Sequence, residues 1–159
     1  PLSLIPPLFI YYAAGNYAGD LLPILSKAQL LLVAVILFIV ELVAVPLMAL
    51  ILRQLAEVAD THPSYHDAFT LAAVAPTPLW LVPIVFLIPD MLINLLALTM
   101  ALMATAGFIY YGIPSAFRIK ERGHAMLLFG AVLTAGFIAW AFLMVVTLVV
   151  LGSVQNLNL

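Results

Sequence analysis

Glu41 sits in the middle of an apolar run, LFIVELVAVPLM, with no basic residue nearer than Arg53. A carboxylate at the centre of a membrane helix costs about 2.5–3.5 kcal/mol on insertion scales, so this one is expected to face protein rather than lipid. Counting depth along the apolar runs puts it level with Thr77 and Trp80 and, more loosely, with Thr105 and Thr134. A carboxyl there has two kinds of chemistry open to it. It can donate a hydrogen bond to a carbonyl that a proline has freed, or it can pass protons or cations. One carboxyl without an intramembrane Lys, Arg or second carboxylate is a thin relay, so the structural role is the expected one.

Pro76, Pro78 and Pro83 stand within a single apolar run, with Pro89 at its end. Each proline removes a backbone donor and crowds the carbonyl four residues earlier, here those of Ala72, Val74 and Leu79. In lipid those carbonyls need a partner from protein or trapped water, so this helix is expected inside the bundle and kinked or broken. Broken helices form substrate and ion sites in transporters, but a static kink packed by neighbours meets the same demand.

His62, His66 and His124 share a small region with Asp60, Asp67 and Glu121. His62 and His66 have helical spacing, yet Pro63 between them opposes a continuous helix, and no metal site is expected. Ser64 and Asp67 fit a helix cap instead, since S-x-x-D before an apolar run satisfies orphan N–H groups. Arg118, Lys120 and Arg122 alternate with Ile119 and Glu121, a pattern suited to contact with lipid headgroups or a partner. No phosphate loop, nucleophile elbow, HExxH or dinucleotide fingerprint occurs, so no catalytic residue and no cofactor is expected.

The elements that carry these residues follow from composition. Of 159 residues, 67% are apolar and 8% charged, against about 45–50% and 25% in soluble domains. Mean hydropathy is +1.27, so the chain reads as a membrane protein. A net charge of -2 excludes nucleic-acid binding, and the absence of cysteine excludes disulfides, thiolate chemistry and Cys-ligated metals. Runs of about 20 apolar residues span a bilayer, and four are complete: Gln29 to Leu52, Ala68 to Pro89, Met91 to Phe117 and Ala125 to Gly152. A shorter one, Leu2 to Ala14, is expected to be the remainder of a first helix. The expectation is an all-α bundle of five transmembrane helices, the first truncated, with residues 1–159 forming one domain.

Alternating the links between sides puts Arg53, Arg118, Lys120 and Arg122 together and leaves Lys27 opposite. The positive-inside rule then makes the links Arg53 to Asp67 and Arg118 to His124 cytoplasmic and the C-terminal tail external. Tyr11, Tyr12 and Tyr17 near one interface and Tyr110 and Tyr111 near the other fit an aromatic belt. In the last span Ala131, Ala135 and Ala139 form a small-residue stripe, with Gly130 and Gly136 beside it, suited to close helix contact.

From Tyr65 the chain reads YHDAFTLAAVAPTPLWLVPIVFLIP, then an apolar span ending GFIYYGIPSAFRI, a charged link and a last span. This resembles the bacterial inner-membrane branch of the YIP family, the Ypt/Rab-interacting membrane proteins. The Ala-Pro-Thr-Pro-Leu run, Pro89 and the Tyr-Tyr-Gly-Ile-Pro-Ser run carry the resemblance. It implies five membrane helices, a cytoplasmic N-terminal segment and an external C-terminus. Eukaryotic members are associated with Rab GTPases, a partner system that bacteria lack. The expected function is a non-catalytic scaffold or accessory subunit in the bacterial inner membrane, in contact with lipid and other membrane subunits. The alternative is a small transporter or channel built on Glu41 and the proline-broken helix.

Overall fold

A computed structural model describes residues 2–16, 25–88 and 90–155. Among these the fold is entirely helical. A 3-10 turn, Leu2–Leu4, leads into α1, Ile5–Asn16; then come α2, Lys27–Val58; α3, Tyr65–Val74; α4, Thr77–Val85; α5, Met91–Phe117; and α6, Arg122–Gln155. Four helices are long and apolar enough to cross a membrane: Lys27–Val58, Tyr65–Val85, Met91–Phe117 and Arg122–Val154. At 12 residues α1 is below the length a span requires, so the described residues contain four such helices and not five.

Local chemistry sets the ends. Ser26 caps α2 through a reciprocal pair, its Oγ accepting from Gln29 N and its own N–H donating to Gln29 Oε1. Ser64 Oγ accepts from Asp67 N at 3.1 Å and donates to Asp67 Oδ2 at 2.7 Å, so the expected cap starts α3. Asp90 caps α5 by accepting from Ile93 N. Two non-glycine residues, Asp60 (φ 51°) and Arg118 (φ 54°), take left-handed conformations directly after α2 and α5 and turn the chain out of each helix.

Two sequence boundaries move. Helix α2 continues past Leu52 to Val58, because Ala49, Leu52 and Ala56 keep one face buried after the apolar run has ended at Arg53. Helix α6 starts at Arg122, which shortens the last link to Arg118–Glu121.

The packing order explains where the cores lie. Helix α2 packs on α1, α3 and α6; α5 packs on α3, α4 and α6; and α1 also touches α4, where Phe9 and Phe86 meet edge to face. One core gathers the last turns of α2 and α5 with the first turns of α3 and α6, around Leu52, Ala56, Ala68, Ile113, Phe117 and Leu128. A smaller core, Val33, Leu37 and Val154, joins the start of α2 to the end of α6. Arg53, Arg118, Lys120 and Arg122 therefore all lie at one end of the bundle, called here the basic end, and Lys27 lies at the other.

Candidate functional site

Glu41 occupies the gap between the two cores. In α2 the far-end core stops at Leu37 and the basic-end core begins with the half-buried Val45. At 1.5 Å per residue, Glu41 is about 18 Å along the helix from both Gln29 and Arg53, the mid-depth of the span. Its Oε2 is buried and has no hydrogen-bond partner among the described residues. The expected bond from this oxygen to a proline-freed carbonyl is absent.

None of the threonines at the same depth is hydrogen-bonded to this oxygen. Thr134 is exposed and gives its hydroxyl to Gly130 O of its own helix at 2.8 Å. Thr105 belongs to α5, packed mainly on α3, α4 and α6, and its Oγ1 is likewise buried without a partner. Thr77 is half-buried at the first position of α4, one turn before the half-buried Trp80. Depth counting fixes height in the membrane but not the direction a residue faces, and three different helices aim these groups differently.

The three prolines act differently from one another. The third span is interrupted at Ala75 and Pro76, where α3 closes with Ala75 N donating to Leu71 O and α4 opens with Trp80 N donating to Pro76 O. Pro78 falls in the first turn of α4, where its missing N–H has no intrahelical acceptor to serve. Pro83 lies inside α4 without dividing it, and the helix closes soon after at Val85. The interruption therefore lies at Ala75 and Pro76, with Pro78 in the turn that follows, and not at Pro83. Pro89 and Tyr17 lie outside the described residues.

The small-residue stripe of α6 does not mark the close approach within this chain. Ala131, Ala135 and Ala139 are half-buried, and a Cβ built at Gly130 or Gly136 meets nothing within 4 Å. The close approach is at Gly112, where a Cβ would lie 2.7 Å from Leu71 Cδ1. Gly112 is the glycine of the Tyr-Tyr-Gly-Ile-Pro run, so its signal was in the sequence without its meaning. Gln29 was also missed: it is the buried polar side chain of the core, and its Nε2 donates to Val154 O at 3.0 Å.

At the basic end a cleft of about 520 Å³ lies between the end of α5 and the start of α6. Tyr110, Tyr111, Ser115, Lys120, Arg122 and Met126 are among its walls. His124 Nδ1 stands 3.2 Å from Glu121 Oε2, an ion pair when the imidazole is protonated. His62 and His66 are exposed, and among the described residues no three His, Asp or Glu side chains are grouped to hold a metal.

A family model described as the Yip1 domain matches residues 1–143, nearly the whole chain and well beyond the segment from Tyr65 that carries the resemblance. The chain belongs to the Yip1 family. Neither a curated protein nor a solved structure gives a match. Yip1 proteins are in general non-catalytic membrane proteins, and the apolar helices here make this member a multi-pass one. The match closes at Leu143, within α6, so both the broken span and the Tyr-Tyr-Gly-Ile-Pro run fall inside it.

Proposed function

We propose that this Yip1 protein is a non-catalytic scaffold or accessory subunit of a larger complex in a bacterial inner membrane. Its basic end faces the cytoplasm and its C-terminus lies outside, a reading supported by the four-to-one distribution of basic residues. The observation that carries the reading is the open surface of α6: only 6% of its apolar window is buried within the chain. That surface presents Gly130, Phe137, Ile138 and Phe142 outward, a mixture of a small residue and large apolar ones suited to a neighbouring helix.

A photoreactive benzoylphenylalanine at Phe137 or Phe142 in the full chain, irradiated in native membranes, tests it. Adducts of discrete protein mass are expected from both positions and not from buried Leu128. Lipid adducts alone from both outward positions would remove the scaffold reading.

The second reading, a small transporter or channel, rests on Glu41. This mid-membrane carboxyl oxygen meets no donor among the described residues, which leaves it open to a partner subunit's donor or to a passing ion. The cleft at the basic end lies away from it, walled by α5, α6 and their link.

A further inference from the structure

We infer that the cleft between α5 and α6 at the basic end binds the headgroup of an anionic phospholipid, with Lys120 and Arg122 holding the phosphate. Its volume of about 520 Å³ falls within the range of small-molecule sites, about 300–1,000 Å³. Its walls are of two kinds. Lys120, Arg122 and Ser115 offer cationic and hydroxyl donors, whereas Pro114 and Met126 offer apolar surface. A phosphate ester carrying acyl chains needs that combination; a free inorganic anion has no use for the apolar half.

The charge in the cleft supports the same ligand. Glu121 is the acidic group in its wall, and its Oε2 is engaged with His124 at 3.2 Å. Among the described residues neither Lys120 nor Arg122 forms an ion pair, and the two cations outnumber the one carboxylate of the cleft wall. Two cations flanking a single carboxylate at the membrane surface leave a net positive charge that attracts anionic lipid. The position agrees: the cleft lies where α5 leaves the apolar layer, beside the exposed Tyr111 and the left-handed turn at Arg118. Tyrosines favour that depth because their rings sit among headgroups. The site stands independently of whether the chain has a protein partner.

The test is native mass spectrometry of the full chain released from nanodiscs made of equal parts phosphatidylglycerol and phosphatidylcholine. The wild type should retain phosphatidylglycerol in preference. Lys120→Gln with Arg122→Gln should reduce that preference about thirty-fold, the value of two basic residues at the surface. Ser115→Trp, which fills the cleft and leaves every charge in place, should reduce it too, and its unchanged topology guards against misinsertion of the double variant. Lys27→Gln, at the far end, should leave the preference as it is. Equal retention of the two lipids by the wild type would overturn the inference. So would persistence of the preference in the double variant or Ser115→Trp, an equal loss in Lys27→Gln, or displacement of the lipid by millimolar inorganic phosphate.

Discussion

Gln29 and Val154 are 125 residues apart and joined by a 3.0 Å hydrogen bond, the amide of the first turn of α2 donating to a carbonyl in the last turn of α6. The bond sets both ends on one side of the bundle. It therefore requires an even number of crossings from α2 to α6, which the four long helices supply. Gln29 serves twice, since its Oε1 also accepts from Ser26 N and completes the cap of α2.

Gln29→Leu should accordingly remove the acceptor for Ser26 N, half of the capping box, and leave Val154 O without its donor in a buried position. The cost should be about 1–3 kcal/mol, read as a lowered midpoint in denaturant-induced unfolding in detergent micelles. A midpoint equal to wild type would mean that the clasp contributes nothing.

Gly112 admits α5 against α3. A Cβ at this position would come 2.7 Å from Leu71 Cδ1, and Leu71 is itself buried in the basic-end core. Alanine can be accommodated by a rotation of the leucine, but Gly112→Val should cost about 1–3 kcal/mol by overpacking. Leu71→Ala should recover part of that loss in the double variant. Strictly additive costs would show that the two residues do not press on each other.

How far such contacts were legible in the sequence depends on what sets them. The span Met91–Phe117 was readable at both ends, since Asp90 is a helix cap and Arg118 ends the apolar run. The end of α2 was not, because beyond Arg53 the helix is sustained by Ala56, whose burial depends on neighbours from α3 and α5. The four basic residues were gathered correctly at one end by alternation alone. Glu41, Thr105 and Thr134 were assigned the same height, but helix azimuth is set by packing, and Thr134 turns to its own backbone. The Ser26–Gln29 capping box is present in the sequence as S-x-x-Q, a short signal beside the long apolar run that follows it.

Sidedness follows from charge. The chain has no cysteine, so Gly123→Cys and Ser153→Cys each introduce a unique thiol, and both positions are exposed. A membrane-impermeant maleimide applied to intact cells should label Ser153→Cys and reach Gly123→Cys only after permeabilisation. Labelling of both from the same side would refute the number of crossings between the start and end of α6.

The interruption of the third span falls at Pro76, and Pro78 lies in the first turn of α4. Spin labels at the exposed Phe69 and Ile84 report the difference, since 15 residues of straight helix cover about 22 Å. Pro76→Ala restores a donor for Ala72 O and should move the distance towards that of a straight helix and narrow its distribution. Pro78→Ala should leave it unchanged, because a residue in the first turn of α4 has no intrahelical bond to restore. An unchanged distance in Pro76→Ala would mean that packing on α2 and α5, and not the proline, holds the break.

Glu41 separates the two functional readings. Its Oε2 is buried without a hydrogen-bond partner among the described residues, so there it is a cost and not a tie. Glu41→Leu should therefore leave the purified chain as stable as wild type or make it more stable, by about 1–3 kcal/mol, since a desolvated oxygen is removed and apolar surface added. If a partner subunit's donor meets that oxygen, the same substitution weakens association, and the photocrosslinks from Phe137 and Phe142 fall. Glu41→Gln keeps the size and a carbonyl acceptor, so it should retain most of the crosslinking. A carboxyl that passes protons or cations behaves otherwise. Wild-type protein in liposomes would then carry flux, and Glu41→Gln would abolish it with the fold intact, because an amide does not titrate. The expected result is no flux from either protein and retained association in Glu41→Gln; flux that disappears in that variant would replace the scaffold with a transporter.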